Sequence, residues 1–202
     1  MPPDSFSYEQ EGSRKSTHLL ALLIPAIYLI FPREWAIGLM IAANILIISF
    51  EIVRLRQCRV WRFLAPVFGP MVRPKEQNGN FTGALYILLS SLLCIVLFNK
   101  FIATTAITFI IVGDVGSAMV GRRWGKHRLL GTKTLEGSLA FLAISLGVTA
   151  AFPNVPWSVG IIGAVVATVA EALSIHRDDN LTVPLTAGLV MYLLVRFFPA
   201  LP

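Results

Sequence analysis

The order of apolar and polar segments constrains this chain more than any other feature of its sequence. Seven apolar stretches follow one another, and short polar segments separate them. A helix needs about 20 residues to cross the hydrocarbon core of a bilayer. We therefore predict an all-α, polytopic membrane protein with about seven transmembrane helices. The predicted stretches are residues 18–31, 36–53, 82–98, 101–120, 135–152, 157–173 and 181–198.

The composition supports a membrane protein and excludes several other classes. Hydrophobic residues make up 55% of the 202 residues and charged residues only 14%, whereas soluble domains average about 25% charged residues. A disordered chain, a secreted disulfide scaffold and a typical cytosolic enzyme are thereby excluded. The net charge of +6 indicates contact with anionic groups at a membrane surface rather than with nucleic acid.

The distribution of basic residues predicts how the chain is oriented. Cytoplasmic loops of membrane proteins carry an excess of Lys and Arg. If the N-terminus is cytoplasmic, 14 of the 17 Lys and Arg residues lie on the cytoplasmic side. We therefore predict a cytoplasmic tail at residues 1–17 and a single transmembrane catalytic domain at residues 18–202, with its active site on the cytoplasmic face.

The second loop has the pattern of an amphipathic helix at the membrane interface. Apolar and basic residues fall on opposite helical faces, which favours an anchoring element over a substrate gate. Pro66 and Pro70 are expected to end this helix. The apolar face comprises Val60, Trp61, Leu64, Val67 and Phe68, and the basic face comprises Arg56, Arg59 and Arg62.

Three carboxylates lie at membrane depth: Glu51, Asp114 and Glu171. Burying a charged group there costs about 2.5–3.5 kcal/mol on insertion scales, so such residues usually have a function. Asp114 is predicted to bind Mg²⁺, because hard cations prefer carboxylate ligands. The alternative is a carboxylate that a neighbouring span satisfies.

Small residues surround Asp114 at helical spacing. Gly113, Ser117 and Gly121 recur every four residues. Such a ridge allows a second helix to approach closely.

The fourth loop, at residues 121–138, combines five cations with glycines and hydroxyl groups. Glycines let backbone N–H groups approach an anion, and Lys and Arg neutralise phosphate charge. The segment lacks the GxxxxGK[ST] spacing of a Walker A loop. Thr134 and Ser138 are candidates to cap the next helix. We predict a polyphosphate site, and the alternative is a plain basic loop.

The sixth loop contributes acidic and amide side chains. Asp178, Asp179 and Asn180 precede a helix start, and only one of the two aspartates is expected to face a site. Glu171 lies seven residues before Asp178, so an extended helix places both on one face. A solvated loop in which Asn180 caps the helix is the alternative.

Together these clusters supply what phosphoryl transfer requires. Cations hold the phosphates, carboxylates hold Mg²⁺, and a base or positioning group orients the acceptor hydroxyl. The membrane setting favours a lipid acceptor.

The motifs resemble those of the CTP-dependent lipid kinases, which include dolichol kinase, phytol kinase and the CTP-using diacylglycerol kinase of yeast type. The block Lys133-Thr134-x-Glu136-Gly137-Ser138 is the most specific. The other matching segments are Arg14-Lys15-x-x-His18, Phe81-Thr82-Gly83-Ala84-x-Tyr86, Gly113-Asp114-x-x-x-Ala118-x-x-x-Gly121-Arg122-x-x-Gly125-Lys126 and Asp179-Asn180-Leu181-x-Val183-Pro184.

The resemblance implies CTP as phosphoryl donor, Mg²⁺ as cofactor and a hydrophobic alcohol as acceptor. By motif, the catalytic residues are Asp114, Lys133, Glu136 and Asp179, and the metal ligands are Asp114, Glu136 and Asp179. The implied nucleotide-binding residues are Arg14, Lys15, His18, Arg122, Gly125, Lys126, Lys133, Thr134, Gly137, Ser138 and Asn180.

Two other functions remain open. A phosphatidate cytidylyltransferase-like enzyme would release pyrophosphate where a kinase releases CDP. A small anion transporter would need cationic residues at the bilayer midplane, and the predicted spans place none there. The acceptor is also open between a polyprenol such as dolichol, a phytol-like isoprenoid alcohol and diacylglycerol.

Overall fold

The computed structural model describes residues 19–69, 72, 76, 79–131, 133–174 and 178–198. Within these residues the regular structure is entirely helical, apart from one isolated bridge between Arg128 and Thr134. The all-α prediction is therefore confirmed. The eight helices of the described residues are α1 (Leu23–Ile30), α2 (Arg33–Leu55), α3 (Arg59–Phe68), α4 (Gly83–Leu97), α5 (Lys100–Trp124), α6 (Leu135–Ala151), α7 (Trp157–Leu173) and α8 (Asp179–Phe197).

Helices α2, α5 and α8 are each long and apolar enough to cross a membrane. Helices α4, α6 and α7 are apolar but shorter, at 15 to 17 residues. Large apolar side chains stand exposed on several helices, as Leu46 and Phe197 do. This exposure is typical of a protein whose solvent is lipid. The number of seven spans and the cytoplasmic N-terminus stay predictions.

Helix α5 forms the centre of the bundle. Of its apolar window, 67% is buried, against 22% for α2 at the periphery. It packs against α1, α4, α6, α7 and α8. The helix is buried on all sides between Ile102 and Ile111, and its Ile107 and Phe109 belong to the same apolar core as Phe141 of α6 and Met191 of α8. Asp114 follows this apolar run, so the apolar core ends at the turn of α5 that carries this carboxylate.

The small-residue ridge predicted on α5 is confirmed. A Cβ atom at Gly113 would lie 2.5 Å from the Phe141 ring, and one at Gly121 would lie 2.8 Å from the Thr134 hydroxyl. Gly137 of α6 meets the same ridge, since a Cβ there would lie 3.0 Å from the backbone oxygen of Ser117. Small residues on both helices thus bring the start of α6 against the end of α5.

The close contact between α5 and α6 predicts that alanine has different effects on stability at two glycines of α6. We expect Gly137→Ala to lower the free energy of unfolding by about 1–3 kcal/mol, because the methyl group forces two backbones apart. Gly147→Ala is the matched control, since nothing lies within 4 Å of its added Cβ and alanine favours a helix over glycine. Thermal unfolding in detergent measures both. Equal stability of the two variants would contradict the close contact.

The predicted amphipathic helix of the second loop is present as α3. Trp61 is buried, and its ring lies 5.7 Å from that of Phe50 of α2. Val60, Phe63 and Val67 form an exposed apolar surface. The prediction that Pro66 ends the helix is wrong, because α3 continues to Phe68; Pro70 lies outside the described residues. The helix is only ten residues long, and Pro66 lies in its last turn. The proline therefore removes a single backbone hydrogen bond near the end of the helix.

A buried polar network joins the end of α2 to the start of α4. Glu51 Oε2 accepts a hydrogen bond from Arg54 Nε at 3.0 Å, and Glu51 Oε1 accepts one from the backbone N–H of Thr82 at 3.1 Å. Arg54 also donates to the backbone oxygens of Glu76 at 2.8 Å and Asn80 at 2.6 Å. The membrane-depth carboxylate Glu51 therefore has a structural explanation: it fixes the connection that leads into α4.

Candidate functional site

Three carboxylates from three helices converge at one end of the bundle. Asp114 comes from α5, Glu171 from the last turn of α7 and Asp179 from the first turn of α8. One carboxylate oxygen of each lies within 4.8 Å of the others. Glu171 is 1% exposed, and the other two are partly buried. Like charges this close are unfavourable without a cation, so the group, here called the carboxylate trio, is suited to bind one.

Lys133 already contributes a positive charge to the trio. Its Nζ atom forms an ion pair with Glu171 Oε1 and another with Asp179 Oδ2, the latter at 3.0 Å. Burial lowers the pKa of Lys133, but the carboxylates of Asp179, Glu171 and Asp114 outweigh this effect and raise its pKa above the ordinary value. The ammonium group therefore stays charged at neutral pH. Ser138 also reaches the trio, with its hydroxyl 3.5 Å from Glu171 Oε2.

The two neighbouring aspartates of the sixth loop have different partners. Asp178 is the N-cap of α8, and its side chain accepts hydrogen bonds from the backbone N–H of Asn180 at 3.1 Å and from its amide group at 2.7 Å. Asp179 belongs to the trio. Asn180 is buried, and its backbone oxygen accepts a hydrogen bond from Ser90 of α4 at 2.7 Å. Asn180 thus ties the start of α8 to α4, while Asp178, rather than Asn180, caps the helix.

The segment between α5 and α6 folds back on itself as a hairpin, here called the basic hairpin (residues 125–131, 133 and 134). The backbone N–H of Leu129 donates to the oxygen of Lys133 at 3.0 Å, and that of Leu135 donates to the oxygen of His127 at 2.9 Å. Gly131 takes φ +58°, a left-handed conformation that glycine adopts without strain. The fold places Lys133 at the trio and leaves Lys126 and Arg128 exposed.

Glu136 joins the base of the hairpin rather than the trio. Its Oε1 atom lies 2.8 Å from His127 Nδ1, and both carboxylate oxygens lie 3.3 Å from the backbone nitrogen of His127. Thr134 caps α6, with its hydroxyl oxygen accepting a hydrogen bond from the backbone N–H of Gly137 at 3.2 Å. The bonds between Glu136 and His127 hold the two ends of the hairpin together. Ser138, the other candidate cap, lies one turn further along α6.

The bonds between Glu136 and His127 predict that Glu136 limits the opening of the basic hairpin. We expect Glu136→Ala to speed amide hydrogen exchange at residues 127–135 about tenfold or more, because the hairpin loses the bonds that close it. Hydrogen–deuterium exchange with mass spectrometry measures the effect. Glu34→Ala, which removes an exposed carboxylate of α2, is the control. Unchanged exchange in the hairpin would show that Glu136 does not hold it.

Apart from Asn180, which ties α8 to α4, the catalytic, metal-binding and nucleotide-binding residues implied by the motifs fall into three groups. Asp114, Lys133 and Asp179 lie together, and Ser138 contacts them through Glu171. A second group lies around the hairpin and the adjoining helix ends: Arg122, Gly125, Lys126, Thr134, Glu136 and Gly137. The third group, Arg14, Lys15 and His18, lies outside the described residues.

Glu171 is the trio member that the motifs do not assign to the site. Its charge at membrane depth is the signal that marks it in the sequence. The contact that gives it a role is with Lys133, which is 38 residues away along the chain.

The glycines of the fourth loop have a packing role in the structure. A Cβ at Gly125 would lie 2.1 Å from the backbone oxygen of Gly121 and 2.7 Å from Thr134 Cγ2. Any side chain at this position therefore requires a backbone shift. Close packing accounts for Gly121, Gly125 and Gly137 whether or not a phosphate binds near them.

Comparison with known proteins finds two named kinases among the relatives of this chain. No family model matches the chain, and no solved structure matches it. An uncharacterised protein of Rickettsia prowazekii is 27% identical over 195 residues, which cover 92% of this chain and 94% of that protein. CTP-dependent diacylglycerol kinase 1 of Schizosaccharomyces pombe is 24% identical over 165 residues, which cover 72% of this chain and 74% of that enzyme.

A third relative matches a shorter stretch more closely. Phytol kinase of Synechocystis is 40% identical over 90 residues, which cover 40% of this chain and 39% of that enzyme. The similarity to these two named kinases supports the CTP-dependent lipid kinase family that the motifs indicate.

Proposed function

We propose that this protein is an integral membrane CTP-dependent lipid kinase. It transfers the γ-phosphoryl group of CTP to the hydroxyl of a lipid alcohol, giving a lipid phosphate and CDP. The acceptor oxygen forms a bond to the γ-phosphorus, the bond from that phosphorus to the β,γ-bridging oxygen breaks, and the hydroxyl proton leaves. A polyprenol, a phytol-like isoprenoid alcohol and diacylglycerol are the candidate acceptors.

The carboxylate trio is the observation that carries the proposal. Phosphoryl transfer depends on positioning and on stabilising negative charge, and the usual means is a divalent cation held by carboxylates. Three carboxylate oxygens within 4.8 Å of one another fit the oxygen ligands that Mg²⁺ prefers. Asp114, Glu171 and Asp179 would hold the ion, which when bound supplies positive charge for the phosphate oxygens.

The basic hairpin supports the same proposal. It brings one lysine to the trio and keeps Lys126 and Arg128 exposed beside it. Lys and Arg side chains bind phosphate oxygens through charge-assisted hydrogen bonds. We assign CTP to this face, with Arg122, Lys126 and Lys133 as its phosphate ligands. The loose transition state of phosphoryl transfer needs little help from a base, and Asp114 and Asp179 are the candidates for that role.

The proposed arrangement in the membrane follows from charge and hydropathy. Residues 18–202 form the catalytic domain with about seven spans, and residues 1–17 form a cytoplasmic tail. The positive-inside rule puts the basic hairpin on the cytoplasmic face, where CTP is available. Helix α3 lies at the interface with its apolar surface towards lipid. The acceptor hydroxyl reaches the trio from the bilayer, and its hydrocarbon tail stays among the helices.

A transfer assay tests the proposal. Purified protein in detergent is incubated with Mg²⁺, γ-³²P-labelled CTP and, separately, a polyprenol, phytol, geranylgeraniol, diacylglycerol or phosphatidate. We expect label in the organic phase with one acceptor class, and none with Asp114→Asn. Label that appears only as pyrophosphate, and only with phosphatidate, would instead identify a cytidylyltransferase. Absence of any transfer would contradict an enzymatic function of this kind.

A further inference from the structure

Lys133 binds the same carboxylates that a metal ion would need. Its ammonium group contacts Glu171 Oε1 and Asp179 Oδ2, and both residues belong to the trio. Magnesium-type ions draw their carboxylate ligands to about 2.0–2.1 Å. An ion that takes the two oxygens contacted by Lys133 competes with its ammonium group for the same lone pairs, and the two cations repel each other.

The side chain is able to leave the trio without unfolding its surroundings. Lys133 lies beside the turn of the basic hairpin, and its side chain is 22% exposed. Its ammonium group is a compact charge on a flexible four-carbon stem. The backbone of Lys133 is held separately, since its N–H donates to the oxygen of Leu130 and its oxygen accepts from Leu129, both at 3.0 Å.

From these contacts we propose that Lys133 is a built-in counter-ion of the carboxylate trio, which a divalent cation displaces. Without metal, the ammonium group neutralises Glu171 and Asp179 and keeps the helix ends of α7 and α8 together. When a divalent cation binds the trio, the ammonium group is released towards the exposed side of the hairpin. There it joins Lys126 and Arg128 in binding an anion. The anion role rests on the proposed function, but the displacement by metal does not.

Amine labelling tests the displacement in the unaltered protein. The full chain in detergent, without nucleotide, is treated with acetic anhydride at increasing Mn²⁺ concentration, and mass spectrometry reports acetylation at each lysine. We expect labelling of Lys133 to rise at least threefold as Mn²⁺ binds, because the ammonium group loses its two carboxylate partners. Labelling of the exposed Lys126 stays constant and serves as the internal reference. Constant labelling of Lys133 while Mn²⁺ binds would overturn the proposal.

Metal affinity gives a second, independent readout. Free Mn²⁺ measured by electron paramagnetic resonance gives the dissociation constant of each variant. We expect Lys133→Met to bind Mn²⁺ at least tenfold more tightly than the unaltered chain, because the competing charge is gone. Arg123→Met, which removes an exposed charge at the end of α5, should change the constant less than twofold. Lys133→Arg keeps the charge and should not tighten binding.

The outcomes separate this proposal from the proposed function. Tighter Mn²⁺ binding by Lys133→Met, together with no phosphoryl transfer by the unaltered chain, would support the counter-ion and refute the kinase. Phosphoryl transfer together with equal or weaker Mn²⁺ binding by Lys133→Met would refute the counter-ion and support the kinase. Loss of Mn²⁺ binding in Asp114→Asn is expected, and its persistence there would refute the trio as the metal site.

Discussion

Replacing Asp179 by asparagine should lower phosphoryl transfer about a thousandfold, whereas the same change at Asp178 should leave it within about twofold. Removing one preorganised electrostatic group from a catalytic site costs up to about that much in rate. Asp179 contributes a carboxylate to the trio and an ion pair to Lys133. Asparagine has nearly the same shape as aspartate but no charge, so the change weakens both the carboxylate trio and the ion pair with Lys133.

Asp178 is the matched control because it is the adjacent residue and undergoes the same chemical change. Its carboxylate caps α8, and asparagine is an equally good N-cap residue. The measurement is label transferred from γ-³²P-labelled CTP to lipid, per folded molecule, with the folded fraction taken from size-exclusion chromatography. An equal loss in both variants, or a greater loss at Asp178, would contradict the assignment of Asp179 to the trio.

Breaking the buried pair of Glu51 and Arg54 should produce the largest change in stability. The two side chains are 1% and 3% exposed, so Glu51→Gln leaves a buried guanidinium without its counter-charge. Removing one partner of a buried ion pair costs about 3–5 kcal/mol. We expect the midpoint of thermal unfolding in detergent to fall by about 10 °C.

A double variant separates charge from packing in this network. Glu51→Gln combined with Arg54→Met removes both charges of the pair, and we expect it to recover part of the lost stability, because Arg54 no longer leaves a buried guanidinium without the carboxylate of Glu51. Transfer activity per folded molecule should stay within about fivefold of the unaltered chain in both variants, since neither residue belongs to the trio. A single variant as stable as the unaltered protein would contradict the structural role of Glu51.

The helices could be predicted because hydropathy is a local property of the sequence. The predicted stretch 101–120 lies within α5 (Lys100–Trp124), and the predicted 157–173 coincides with α7. The small-residue ridge on α5 could likewise be predicted from helical spacing, since Gly113 and Gly121 lie on one face. The end of α3 was not predictable from Pro66 alone, because a short helix tolerates proline in its last turn.

The site was predictable in its residue types and less so in its pairings. Asp114 and Asp179 stand out as acidic residues in apolar or helix-start contexts, but the sequence does not show which of Asp178 and Asp179 faces inward. That choice depends on the turn that caps α8, where Asp178 bonds Asn180. Glu171 required knowledge of the packing of α7 beside the hairpin, since its partner Lys133 is distant in sequence.

Glu136 illustrates the limit of motif spacing. The block of Lys133, Glu136 and Ser138 places three chemically active side chains within six residues, which suggests that they act on one ligand. In the structure these side chains have different partners: Lys133 and Ser138 contact Glu171, while Glu136 contacts His127. The difference arises because the chain passes from a hairpin into a helix within this block, which turns successive side chains away from one another.

One pair of parallel incubations tests the kinase proposal most directly. The purified protein, Mg²⁺ and the active lipid acceptor are incubated once with γ-³²P-labelled CTP and once with α-³²P-labelled CTP. A kinase places the γ label in the lipid and leaves the α label in water-soluble CDP. The opposite partition, with the α label in the lipid and the γ label in pyrophosphate, would contradict phosphoryl transfer and identify the transfer of a cytidylyl group.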